Sequence, residues 1–116
     1  MKHLNTEEFR EKVFDFKQDE NWNFKGEKPC ILDLSAQWCV PCKNLEPVLE
    51  SLENEDYNIY KINIDEEYEL AAFFEIKSVP TLVFCSMDEE PVKISGTLPK
   101  NKIETIVKEV FKTQIV

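Results

Sequence analysis

Five consecutive residues, Cys30-Ile31-Leu32-Asp33-Leu34, constrain the fold of this chain more than any other feature. The run is almost wholly apolar and too short for a helix, so it reads as a central strand buried on both faces. Asp33 is its one exception. A strand of that kind needs cover on both faces, and the strands and helices that alternate along the rest of the chain give an α/β order. The 116 residues suffice for one compact domain, 1–116, and two would each be undersized.

The flanking segments agree with that reading. Lys2 to Asn5 is expected to form a short edge strand. Asn5 with Glu8 three residues on forms a capping-box signature, and Phe9, Val13 and Phe16 follow at helical spacing. Gln18 to Pro29 is polar and irregular and reads as a connecting loop. After Trp38-Cys39-Val40-Pro41-Cys42, the apolar stripe of Leu45, Val48, Leu49 and Leu52 predicts a long helix interrupted at Pro47. Tyr57 to Ile64 alternates as a strand, and Asp65 is expected to cap a short helix through Phe74. Val79 to Phe84 starts a further strand, and a polar turn over 87–90 leads to a hairpin partner at Val92 to Ser95. A last helix starts at Pro99 and carries Ile103, Ile106, Val107, Val110 and Phe111 on one face. No internal repeat or second domain is evident.

Charge narrows the partners. Fourteen Lys and Arg against 23 Asp and Glu leave a formal net charge of −9. Counterion release on a nucleic acid needs a basic face, so neither nucleic acid nor an anionic membrane is an expected partner. No apolar run approaches the length of a membrane span, and the first residues carry no export signal, so the expected location is the cytoplasm. A periplasmic or secreted location is the alternative if a signal peptide has been removed.

Chemistry concentrates at Cys39 and Cys42. At i and i+3, where a strand gives way to a helix, one helical turn brings both side chains to one face within disulfide reach. The free N–H groups and dipole of the helix N-terminus favour a thiolate at Cys39, with a pKa of roughly 3.5 to 7.5 for such motifs. Zinc is the competing reading. A Cys-x-x-Cys pair is half of a tetrahedral site, yet Cys30, Cys85 and His3 form no second pair, and the chain is read as using neither metal nor cofactor.

The ordered set of Asp33, Trp38-Cys39-Val40-Pro41-Cys42, Pro47, Lys61-Ile62-Asn63-Ile64-Asp65, Val79-Pro80-Thr81 and Gly96 resembles the thioredoxin family over nearly the full length of the chain. The resemblance implies a central mixed parallel and antiparallel sheet flanked by helices on both faces. It implies a thiol-disulfide oxidoreductase that reduces protein disulfides as a monomer and draws electrons from a thioredoxin reductase or an equivalent donor. Cys39 would be the attacking thiolate and Cys42 the resolving thiol. Trp38, Val79, Pro80 and Gly96 would contact substrate, with Pro80 following a cis bond. An oxidase or isomerase of exported proteins and a redox-inactive binding module are the alternatives, and retention of both cysteines argues against the module.

Asp33 in an apolar strand should be hard to ionise and able to exchange a proton with Cys42, with Lys61 as its electrostatic neighbour. The Val79 backbone is expected to pair with an extended substrate segment, as in strand addition. Two positions depart from the family pattern. Ser35 stands where an aromatic residue is common, leaving a gap for another side chain or water beside Asp33. Val40 replaces the usual glycine between the cysteines and stiffens the loop. Cys30 and Cys85 are expected at one end of adjacent antiparallel strands, far from Cys39, as free core thiols. His3 reads as a surface residue, and the acidic stretches 65–67 and 88–90 as solvated turns and helix starts.

Overall fold

The computed structural model describes residues 1–87 and 89–111. In chain order the elements are β1 (Lys2–His3), α1 (Thr6–Lys12), β2 (Cys30–Ser35), α2 (Val40–Leu52), β3 (Asn58–Asn63), α3 (Tyr68–Phe73), β4 (Thr81–Cys85), β5 (Val92–Ser95) and α4 (Lys100–Val110). The strands form one sheet in the order β1-β3-β2-β4-β5. β1, β3 and β2 run parallel, and β4 and β5 continue the sheet antiparallel. This is the mixed α/β architecture that the family resemblance implied.

Alternation along β2 sorts its side chains between two cores. Leu32 and Leu34 pack with Phe9, Val13, Leu70 and Phe74, from α1, α3 and the segments that follow them. Ile31 packs on the opposite side with Leu45 and Leu49 of α2 and Ile103 and Val107 of α4. Asp33 and Ser35 share the Ile31 face by the same period of two, and both are buried. The catalytic-looking carboxyl therefore lies on the α2 side of the sheet.

The capping box closes as expected: the Glu8 N–H donates to Asn5 Oδ1 at 2.8 Å, and the Asn5 N–H donates to Glu8 Oε1 at 3.1 Å. Two local expectations fail. Phe16 lies beyond α1, because Asp15 engages Arg10 Nε at 2.7 Å and the Lys17 N–H at 3.2 Å, a local alternative to helical bonding. Phe16 instead stacks on Phe73 at 5.0 Å between ring centroids. Asp65 does not cap α3, which begins three residues later after Glu67. Its carboxylate is committed to Trp38. Within the expected 87–90 turn and the 88–90 acidic stretch, Asp88 lies outside the described residues.

Cys30 and Cys85 face each other across β2 and β4 as register partners, and both are buried free thiols. Burial, and then the neighbouring Cys30, pushes the Cys85 thiol well above its ordinary range. Five residue steps of strand put Cys30 about 17 Å from the far end of β2. Among the described residues, no helix is long and apolar enough to cross a membrane.

Candidate active site

The parallel strand β2 ends at Ser35, and the chain turns through Ala36, Gln37 and Trp38 before α2 begins. Cys39 is the N-cap of α2, with an extended backbone and a side chain that accepts the Cys42 N–H at 3.1 Å. Sulfur thus occupies the place that a serine or aspartate oxygen takes in an ordinary cap. Pro41 sits in the first turn, where a missing N–H costs no helical bond. The single turn between them brings Cys39 and Cys42 to a Cα separation of 5.3 Å, and they form a disulfide. Both half-cystines are 4% exposed.

Around this bond the surface is apolar and open. Trp38 and Val40 are exposed, and the Trp38 indole is fixed by an Nε1–H donated to Asp65 Oδ2 at 2.8 Å. Val79 packs against Ala36, Cys39 and Cys42. The Val79–Pro80 peptide is cis. Gly96 donates its N–H to the Pro80 carbonyl at 2.8 Å and has a φ of +94°, a conformation that explains a glycine there. Trp38, Val79, Pro80 and Gly96, scattered through the sequence, therefore gather near the disulfide or are tied to one another.

Beneath α2 the chemistry is different. Asp33 is fully buried, and neither carboxyl oxygen has a hydrogen-bond partner. Burial pushes its pKa up to about 7, opposed by the positive charge of Lys61 and reinforced by the negative charge of Glu46. Lys61 is directly across from Asp33 in the β2–β3 register. Its ammonium is nonetheless bound elsewhere, to Glu46 Oε2 at 3.0 Å. Glu46 escaped the sequence reading. The available signal was its position four residues after Cys42, which puts it on the same face of α2.

Ser35 leaves an opening. A cleft of about 410 Å³ lies beside it, lined by Ala36, Cys42, Glu46, Lys61 and neighbouring polar residues. No Phe, Tyr or Trp side chain lines it, so no other large ring takes the place of the aromatic residue absent at Ser35. The Ser35 hydroxyl is buried without a partner. His3, an exposed residue opposite Lys61 on β1, also borders this cleft.

The family model described as Thioredoxin matches residues 1–109. The chain is 38% identical to a thioredoxin of Borreliella burgdorferi over 111 residues, covering 93% of this chain and 95% of that one. It is 42% identical to a thioredoxin of Staphylococcus haemolyticus over 101 residues, covering 83% and 92% respectively. Among solved structures, a mutant thioredoxin from Halobacterium salinarum superposes with a TM-score of 0.73 at 28% identity, covering 93% of this chain and 88% of that one. With an N-cap cysteine bonded one turn into its helix, on the fold and over the length these relatives share, the chain belongs to the thioredoxin family and is a thiol-disulfide oxidoreductase that reduces protein disulfides.

Proposed function

We propose that Cys39 attacks, Cys42 resolves and Asp33 moves the proton between the two half-reactions. The Cys39 thiolate attacks a substrate disulfide, forms a mixed disulfide and expels one substrate thiolate. Cys42 then loses its proton to the Asp33 carboxylate and attacks the Cys39 sulfur. The second substrate thiolate leaves and takes that proton, and the Cys39–Cys42 bond closes with two electrons transferred. The observation that carries this reading is Asp33, a buried carboxyl with no partner and a pKa near 7, on the sheet face that α2 covers. A base of that pKa serves proton exchange at neutral pH. Lys61 tempers its charge.

The exposed Trp38, together with Val79, Pro80 and Gly96, is read as the substrate surface, where an extended protein segment pairs with the Val79 backbone. Disulfide-containing proteins are the substrates, a reductase returns the electrons, and residues 1–116 act as one monomeric unit. A reducing cytoplasm suits the facing thiols of Cys30 and Cys85, which remain unbonded. Replacing the resolving thiol tests the assignment: Cys42→Ser should accumulate mixed disulfides with a protein substrate, bonded to Cys39 when mapped by peptide mass. Folded Cys42→Ser protein that traps nothing, or traps through another cysteine, would overturn these roles.

A further inference from the structure

The cleft beside Ser35 gives the active-site bond a second approach. Cys42 lines it and Cys39 does not, although the two half-cystines are equally exposed. Direction of approach, rather than exposure, therefore decides which sulfur a reagent meets. Its volume of about 410 Å³ suits a small molecule and is too narrow for a folded protein surface. Charge in the lining is balanced: Lys61 and Glu46 are paired with each other at 3.0 Å, and Lys43 and Glu66 add one further charge of each sign. A ligand bearing both an ammonium and a carboxylate matches such a wall.

We propose that this cleft binds a small zwitterionic thiol of the size of cysteine or glutathione, and that such a thiol reduces the oxidised protein by attacking Cys42. The inference rests on the reading of Cys39 as the thiolate held at the start of α2. In the first step the small thiolate bonds to the Cys42 sulfur, the Cys39–Cys42 bond breaks, and its electron pair leaves on Cys39. That leaving group is favoured because the Cys42 N–H and the helix N-terminus stabilise it, and a thiol of lower pKa leaves faster. A second small thiolate attacks the small-molecule sulfur of the mixed disulfide and releases a small disulfide and the Cys42 thiolate. Protons from the two small thiols finish on Cys39 and Cys42. Two thiols are oxidised, one protein disulfide is reduced, and the attacked sulfur is the opposite of the one that bonds protein substrates.

The test is regiochemical. Oxidised protein is mixed briefly with reduced glutathione, quenched in acid and alkylated, and fragment masses locate each group. Glutathione on Cys42 with the alkyl group on Cys39 is the expected product, and glutathione on Cys39 overturns the proposal. Lys43→Glu, at the exposed mouth of the cleft, should slow reduction by glutathione relative to neutral 2-mercaptoethanol by about fivefold. An unchanged ratio refutes binding in the cleft. Insulin reduction driven by dithiothreitol is measured on the same preparation, so that failure of the dithiol cycle itself is seen separately.

Discussion

Asp33→Asn should make this protein more stable at alkaline pH and leave it nearly unchanged in acid. Burial raises the Asp33 pKa from 3.8 to about 7 in the folded state. Below 3.8 the folded and unfolded chains both hold the proton. Between 3.8 and 7 the folded state holds a proton that the unfolded state has released, so each rise in pH favours unfolding. Above 7 both forms are ionised and the penalty is complete, at about 4 kcal/mol. An asparagine keeps the volume and cannot ionise. Buried without partners, it pays a desolvation cost close to that of the protonated acid, which cancels in the comparison at low pH. Guanidinium unfolding of the oxidised wild type and variant at intervals from pH 4 to 8 measures the difference, since keeping the disulfide closed removes Cys39 and Cys42 from the titration. With a slope of about 4 kcal/mol per molar, the variant's midpoint should move from coincidence at pH 4 to about 1 M above wild type at pH 8. A difference that stays flat across this range, or shrinks as pH rises, would refute the claim that the folded state holds the Asp33 proton.

Three further outcomes follow from the site. In the reduced protein, iodoacetamide near pH 7 should label Cys39 well before Cys42, Cys30 or Cys85, as read by peptide mass, because Cys39 alone caps a helix and the other pair is buried in the sheet. Preferential labelling of Cys42 would reverse their assigned roles. Glu46→Gln should lower the Asp33 pKa in a carboxyl NMR titration, by removing a negative charge and freeing Lys61, whereas Lys61→Met should raise it; shifts in the opposite sense would show that the pair does not act on Asp33. Ser35→Tyr, which fills the cleft, should raise that pKa further, and an unchanged or lowered value in a folded variant would disprove tuning by Ser35.

Local patterns carried most of the fold into view. The apolar run at 30–34 marks the central strand because both of its faces lie under helices, and the Asn5–Glu8 box marks α1 because capping uses neighbours in sequence. Asp65 was misread for the reason that makes it informative. An aspartate at a strand end looks like a cap, and the tertiary partner that claims it, Trp38, lies 27 residues away. Phe16 fits the period of α1, yet periodicity is blind to the Arg10–Asp15 pair that turns the chain. Cysteine spacing made the disulfide legible. Glu46 stayed hidden among 23 acidic residues, since its significance depends on Lys61 in another strand. The gap at Ser35 was visible as a departure from a pattern, whereas the charged lining of the resulting cleft arises only when β1, β2, α2 and β3 converge.

Burial first, and Glu46 after it, explain how a carboxyl beside Lys61 keeps a raised pKa. A free ammonium opposite Asp33 would favour the carboxylate and draw its pKa back toward the ordinary value. Burial outweighs the lysine's attraction, and Glu46, which accepts that ammonium at 3.0 Å, adds a negative charge that acts in the same direction as burial. The two partners are only partly buried, and solvent screens their mutual attraction, so the pair is worth little to stability on its own. Its consequence is electrostatic: it holds Lys61 at the mouth of the site without neutralising the base beneath. The chain thereby retains an energetically costly buried acid whose pKa stays near neutrality, the property that the proposed proton exchange with Cys42 requires.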